Sequence, residues 1–377
     1  MHKFLSLVFM GAALVAGFGS SAANAEIVVK DLAGREVTLP APATRLIVGE
    51  GRFFTSLALL IDNPDEMIVG MQGEFEKFDP AGYAAFKKQF PKIEEIARIG
   101  NTSADSVSAE KMITLNPDVA IFGLRGHGPT IENKEMIAQL EAASIPVIFI
   151  DFSIDILNNT PKSIELIGKV IGQEKRAAEF VDFYEGKKSL VADRVKNLPD
   201  SEKPTVFIEV HAGKVDCCIS MANGMLGSFI DFAGGINISA KVTPAVIGRH
   251  TLEFLITEDP DILIGTASGS IGGQSDKEKP LSLGIGADEA EERAILKALA
   301  ERPGFDTLSA VQDGQVYGIW HNFYNSAWNI YALIAFAKWQ HPELFSDVDL
   351  QETMMEMQDR FLPFQPGGLF SIGLKGQ

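Results

Sequence analysis

Two arginines and three histidines stand just beyond short apolar runs of this 377-residue chain. Arg52 follows Leu46–Val48, while Arg125 and His127 follow Val119–Phe122. His211 follows Val206–Val210, and Trp320, His321 and Tyr324 follow Val316–Ile319. Arg249 sits just ahead of a helix start at Thr251. A guanidinium offers a rigid fork of donors that suits planar anions. Neutral imidazole is a common metal ligand, and indole and phenol faces pack on large polarizable groups. Open α/β sheets bind ligands in loops beyond the carboxyl ends of their strands, where these residues fall. A cationic and aromatic set on an acidic chain points to a large anionic or polarizable small molecule.

Catalytic constellations are missing. The chain contains no Gly-x-Ser-x-Gly elbow, no phosphate-binding Walker loop and no His-Glu-x-x-His. The glycines of Gly123–Gly128 and Gly269–Gly273 lack dinucleotide spacing and read as loop glycines. With 50 acidic against 33 basic residues, the net charge of −17 speaks against a nucleic-acid partner. Hydrophobic residues at 46% give ample core for a globular chain of this length. Trp328, Tyr331, Ala335 and Trp339 recur at helical spacing and read as core. Cys217 and Cys218 are adjacent; a ring closed between neighbours is strained, so they read as a reduced, partly buried pair.

The elements that position these residues follow from the apolar pattern. Lys3, the apolar run Phe4–Phe18 and Ala23-Asn24-Ala25 make residues 1–25 a cleaved secretory signal, with Glu26 as the mature start. No cysteine follows at that position to carry a lipid, so a soluble periplasmic product is expected. Further strands are expected at Met67–Gly70, Val147–Ile150 and Ile262–Ile264. Helical patterns fall at Ile131–Ala143, Gly224–Ala233, Ala287–Ala300 and Asn325–Trp339. This alternation predicts an α/β fold with mostly parallel sheets. A helix from Glu174 to Asn197, about 36 Å long, divides the chain into lobes at 26–160 and 201–377, with connecting helices over 161–200. Such a helix is a rigid strut.

One segment occurs twice. Ser108-Ala109-Glu110, running through Pro117-Asp118 to Ile121, has a counterpart in Thr251-Leu252-Glu253, running through Pro260-Asp261 to Ile264. In each copy a hydroxyl residue caps a helix, and a glutamate in the first turn suits the helix dipole. The Pro-Asp pair then ends the helix and leads into a buried strand. Glu110 and Glu253 thus hold equivalent places in two copies of one structural plan.

Several stretches carry a family resemblance. They are Asp31-Leu32-Ala33-Gly34-Arg35 running to Pro40, then Arg45–Val48, both Glu-to-Pro-Asp segments, Ala233-Gly234-Gly235-Ile236-Asn237 and Val311–Tyr317. In this order the chain resembles the periplasmic substrate-binding proteins of ABC importers for ferric siderophores, haem and cobalamin. The resemblance implies two α/β lobes joined by a single long helix, with the ligand cleft between them. It implies a monomer that docks onto an inner-membrane ABC permease, through one glutamate per lobe at the positions of Glu110 and Glu253. No cofactor is expected. The ligand expected is an iron chelate, a ferric siderophore above all. Arg52, Arg125 and Arg249 would meet its charge, and Trp320 and Tyr324 would pack on its shell. His127, His211 and His321 complete the expected ligand site, with His211 or His321 at an open iron position. Three readings stay open beside it. One is cobalamin or haem, another is a bare divalent metal held by His127, His211, His250 and His321, and the third is a periplasmic enzyme on the same fold.

Overall fold

The computed structural model describes residues 26–268 and 279–375. The expected signal segment, 1–25, and the glycines at 269–273 lie outside the described residues. The chain enters through a hairpin, β1 (Ile27–Lys30) antiparallel to β2 (Glu36–Leu39). Asp31 and Arg35 close its turn, the carboxylate accepting from both the backbone and the side chain of Arg35. Gly34 supplies the positive φ of 82° that this turn requires.

The first lobe carries a five-stranded sheet of β3 (Leu46–Val48), β4 (Ile68–Gln72), β5 (Ala97–Gly100), β6 (Val119–Gly123) and β7 (Val147–Ile150). Its order is β5-β4-β3-β6-β7, and every pair is parallel. The second lobe carries β8 (Thr205–Glu209), β9 (Ile219–Met221), β10 (Ile236–Asn237), β11 (Ile247–Arg249), β12 (Ile262–Ala267), β13 (Val316–Trp320) and β14 (Ser371–Gly373). Here β8, β12 and β13 are parallel, β10 adds to β8 in parallel, β9 pairs antiparallel with both β8 and β11, and β14 pairs antiparallel with β13. Strands buried on both faces explain why the central ones read as continuous apolar runs.

The internal repeat is a structural one. Asp118 accepts hydrogen bonds from Thr44 and Arg45 just ahead of β3. Asp261 accepts from the backbone and hydroxyl of Thr205 at the start of β8. Each Pro-Asp carboxylate therefore clamps the central strand of its own sheet.

Two helices join the lobes. Ile156–Ile171 buries Ile156, Ile164, Ile167 and Val170 along one stripe and ends at Gly172, whose φ of 69° is left-handed. Glu174–Val195 follows, burying Ala177, Phe180, Tyr184 and Val191. Arg176 at its start bonds Leu59 O, Asp62 and Phe361 O, and so ties the strut to both lobes. Tyr184 donates to Asn329, which in turn donates to Thr160. Cys217 and Cys218 bring their sulfur atoms side by side just ahead of β9.

Candidate functional site

The lobes meet where the loop after β3 reaches the loop after β13. Arg52 lies in that seam, 4% exposed. Its Nη1 donates to Asn322 Oδ1 at 3.1 Å and to the Tyr324 hydroxyl at 3.2 Å, and its Nη2 donates to Glu50 Oε2 at 2.9 Å. The backbone N–H of Arg52 donates to Glu74 Oε1, which also stands 3.7 Å from its Nε. Glu50 accepts further bonds from Asn325 Nδ2 and from the backbone of His127. Gly126 has to be glycine, because a Cβ there would collide with Glu50 Oε1. Burial works against the Arg52 charge, but Tyr324, Glu50 and Glu74 outweigh it and hold the guanidinium more firmly protonated than usual. Arg52, expected to meet a ligand's charge, is placed in the buried seam between the lobes. Its charge is already engaged by two glutamates.

Beside this seam two imidazoles lie against each other at a tilt of 37°. His211 and His321 have ring centroids 3.9 Å apart. Thr266, at the end of β12, organises the pair: its Oγ1 accepts from the backbone of His211 at 2.8 Å and meets His321 Nδ1 at 2.9 Å. His211 Nδ1 meets the Ser268 hydroxyl. With both Nδ1 atoms engaged, each ring presents Nε2, which has no hydrogen bond among the described residues. Desolvation lowers the His211 pKa to about 4, with Lys214, His127 and Arg52 adding to the effect. Desolvation likewise holds His321 well below the ordinary value, and the neighbouring His211 lowers it further. Both rings are neutral at pH 7, the form that ligates metals. Tyr324 packs its ring 4.8 Å from His321. His127 is exposed and packs edge-on to Phe78 at 5.1 Å; desolvation and the Arg52 charge lower its pKa.

The other expected residues divide. Arg125, beyond β6, and Arg249, ending β11, are exposed and have no side-chain bond or ion pair among the described residues. Each stands at a strand end of a different lobe. Trp320, expected on a ligand's shell, packs among Phe323, Trp328 and Phe370 in an aromatic cluster, 4% exposed. His250 bonds Ser239 Oγ at 2.7 Å and stacks on Phe254, so it does not join the histidine pair. Among the described residues no three His, Cys, Asp or Glu side chains converge on a metal position, which corrects the four-histidine expectation.

Glu110 and Glu253 both occupy the first turn of a capped helix. Ser108 accepts from Lys111 N, and Thr251 accepts from Phe254 N. Both glutamates are exposed, and neither carboxylate has an ion pair among the described residues. A cavity of about 900 Å³ lies elsewhere, lined by Asp288, Arg293, Met354, Gln358 and Phe370, and none of the expected site residues borders it.

Glu50, Glu74, Thr266, Asn322 and Asn325 were not anticipated from sequence. The signal available for three of them was proximity alone: Glu50 two residues before Arg52, and the amides flanking Tyr324.

Residues 87–321 match the family model described as periplasmic binding protein. The chain is similar to the TroA-like periplasmic binding protein FepB of Veillonella parvula, at 32% identity over 92% of this chain and 99% of that one, with a TM-score of 0.80. It is 24% identical over 232 residues to the uncharacterized ABC transporter substrate-binding lipoprotein YvrC of Bacillus subtilis strain 168, covering 61% of this chain and 62% of that relative's length. The molybdate-bound periplasmic protein MolA of Haemophilus influenzae shares the fold at 18% identity, over 90% of this chain and 99% of that one, with a TM-score of 0.67.

Proposed function

Because the chain belongs to the periplasmic binding protein family, we infer that it is an exported carrier for an ABC importer and that its cargo is an iron chelate, a ferric siderophore above all. Its family and relatives are binding proteins, which argues against the enzyme reading. One observation carries the choice of cargo. Two neutral imidazoles lie 3.9 Å apart beside the seam of the lobes, each with an Nε2 that has no hydrogen bond among the described residues, and each lobe carries at a strand end an exposed arginine with no ion pair among those residues. An anionic chelate would meet Arg125 from one lobe and Arg249 from the other. Where the chelator leaves iron coordination positions open, His211 or His321 would fill one, its Nδ1 held by Ser268 or Thr266. The Tyr324 ring beside His321 would pack on the organic shell. Glu110 and Glu253, exposed on opposite lobes, would dock onto the inner-membrane permease, where charge complementarity sets orientation and on-rate.

The test uses a ferric complex of a tetradentate catecholate, which leaves two iron positions to solvent. Binding should shift the visible charge-transfer band as imidazole replaces water. His211→Ala with His321→Ala should still bind through the arginines but lose the shift. A band unchanged in the wild-type protein would refute direct coordination. No binding at all, together with tight uptake of zinc, would refute the chelate reading.

A further inference from the structure

The loop that carries His321 and Tyr324 is fastened from below. Asn322 Oδ1 and the Tyr324 hydroxyl accept from Arg52, and Asn325 donates to Glu50 at 2.6 Å. Two more bonds continue the seam along the same stretch. Ala327 N donates to Ser56 Oγ, and Trp328 Nε1 donates to Thr55 O at 3.3 Å. All of these groups are buried. Glu74 stands out among them: it is a fully buried carboxyl held by the Arg52 backbone and close to the Arg52 guanidinium. We propose that Arg52 is a positioning residue, the centre of a Glu50–Arg52–Glu74 latch that fixes the 321–325 loop to the first lobe and sets the His321 imidazole in the cleft, with protonation of Glu74 deciding how tightly the latch holds.

The direction follows from charge balance. With Glu74 neutral, the latch pairs one cation, Arg52, with one anion, Glu50. Ionising Glu74 adds a second buried anion 3.7 Å from Arg52 Nε and close to Glu50. It competes for the guanidinium against Asn322 and Tyr324, so the latch loosens. Burial pushes the Glu74 pKa up to about 7, with Arg52 opposing and Glu50 reinforcing the rise. The titratable groups facing the cluster are Glu50 and Arg52 beyond β3, Asp79 ahead of the helix Pro80–Gln89, His127 beyond β6, and His321 and Tyr324 beyond β13. Burial raises Asp79 to about 6, so it ionises before Glu74 does. The two cleft histidines are already neutral across that range.

This inference rests on the cleft reading only for what the latch positions, and its test needs no cargo. The chain has three tryptophans, so nitrogen-15 labelling of Trp and His gives a sparse spectrum of the cargo-free protein. The Trp328 indole signal should titrate with a midpoint near 7, and Glu74→Gln should abolish that step. Arg52→Gln should move the Trp328, His211 and His321 signals and speed Trp328 indole exchange about tenfold or more. Trp339, His250 and His341, bonded or packed elsewhere, should not move. If Arg52→Gln also displaces those controls, the fold itself has failed, and Asn322→Ala, which removes one acceptor and no charge, carries the test. A Trp328 titration that survives Glu74→Gln, or His321 signals unmoved when Arg52 or Asn322 is changed, would overturn the latch. Either result leaves the cargo assignment standing, just as failure to bind a ferric chelate would leave the latch intact.

Discussion

Replacing Glu110 and Glu253 by lysine together should abolish cargo uptake while leaving the protein folded and its cleft occupied. Each glutamate is exposed in the first turn of a short helix capped by Ser108 or Thr251, with no partner of its own among the described residues. A cation there opposes the helix dipole at a cost of about 0.3–1 kcal/mol per site. Folding stability should therefore fall by roughly 1–2 kcal/mol at most for the pair. Docking should suffer far more. Two charge-assisted contacts to permease arginines, about 1.5–3 kcal/mol each, are lost, and like charges then face each other. A loss of roughly 3–6 kcal/mol weakens docking by about two to four orders of magnitude. The assay pairs transport of iron-loaded chelate into cells or proteoliposomes with the thermal midpoint and the chelate affinity of the same variant. Transport at the wild-type rate would refute the docking assignment. Loss of chelate affinity in parallel with transport would show that these glutamates support the cleft.

Three further outcomes are expected. Glu74→Gln should change the pH dependence of folding stability: a raised carboxyl pKa contributes stability that is present below its usual value near 4.5 and lost as pH rises towards 7. The variant should therefore gain about 3 kcal/mol on the wild-type between those pH values, read by chemical denaturation, and parallel curves would contradict the burial argument. Arg125→Ala with Arg249→Ala should weaken binding of an anionic ferric chelate about tenfold to a hundredfold and flatten its salt dependence, whereas unchanged affinity would remove both arginines from the site. Thr266→Val strands the His321 Nδ1 and the His211 amide, so it should cost about 1–3 kcal/mol of stability and broaden the two imidazole NMR signals; sharp, unmoved signals would show that the hydroxyl does not organise the pair.

The frame of the fold was legible because burial on both faces writes central strands as apolar runs. Leu46–Val48 and Val147–Ile150 are the strands expected, and Val119–Gly123 exceeds its expectation by one residue. The edges were not legible. β9, β11 and β14 make antiparallel pairs and are three residues long, too short for any period to register. The strand expected to stop at Ile264 runs on to Ala267, and with it went Thr266, the residue that organises both imidazoles. Strand-end placement did bring His211 and His321 together, because β8 and β13, parallel on either side of β12, deliver their loops to the same edge of the sheet. It could not separate Arg52 from Arg125 and Arg249. That difference depends on Glu50 and Glu74, and Glu74 lies on another element, positioned by tertiary packing rather than by spacing. The packing of Trp320 was hidden for a similar reason. It is the last residue of β13, and its neighbour Phe370 arrives from the far end of the chain.

The measurement that bears most directly on the carrier reading is native mass spectrometry of the protein taken from the periplasm of iron-starved cells. A single bound species with the isotope pattern of iron and the added mass of an organic chelator is expected, and it should be lost from protein carrying His211→Ala, His321→Ala, Arg125→Ala and Arg249→Ala together. Haem, a corrinoid, a bare metal ion or no added mass in the wild-type protein would contradict it.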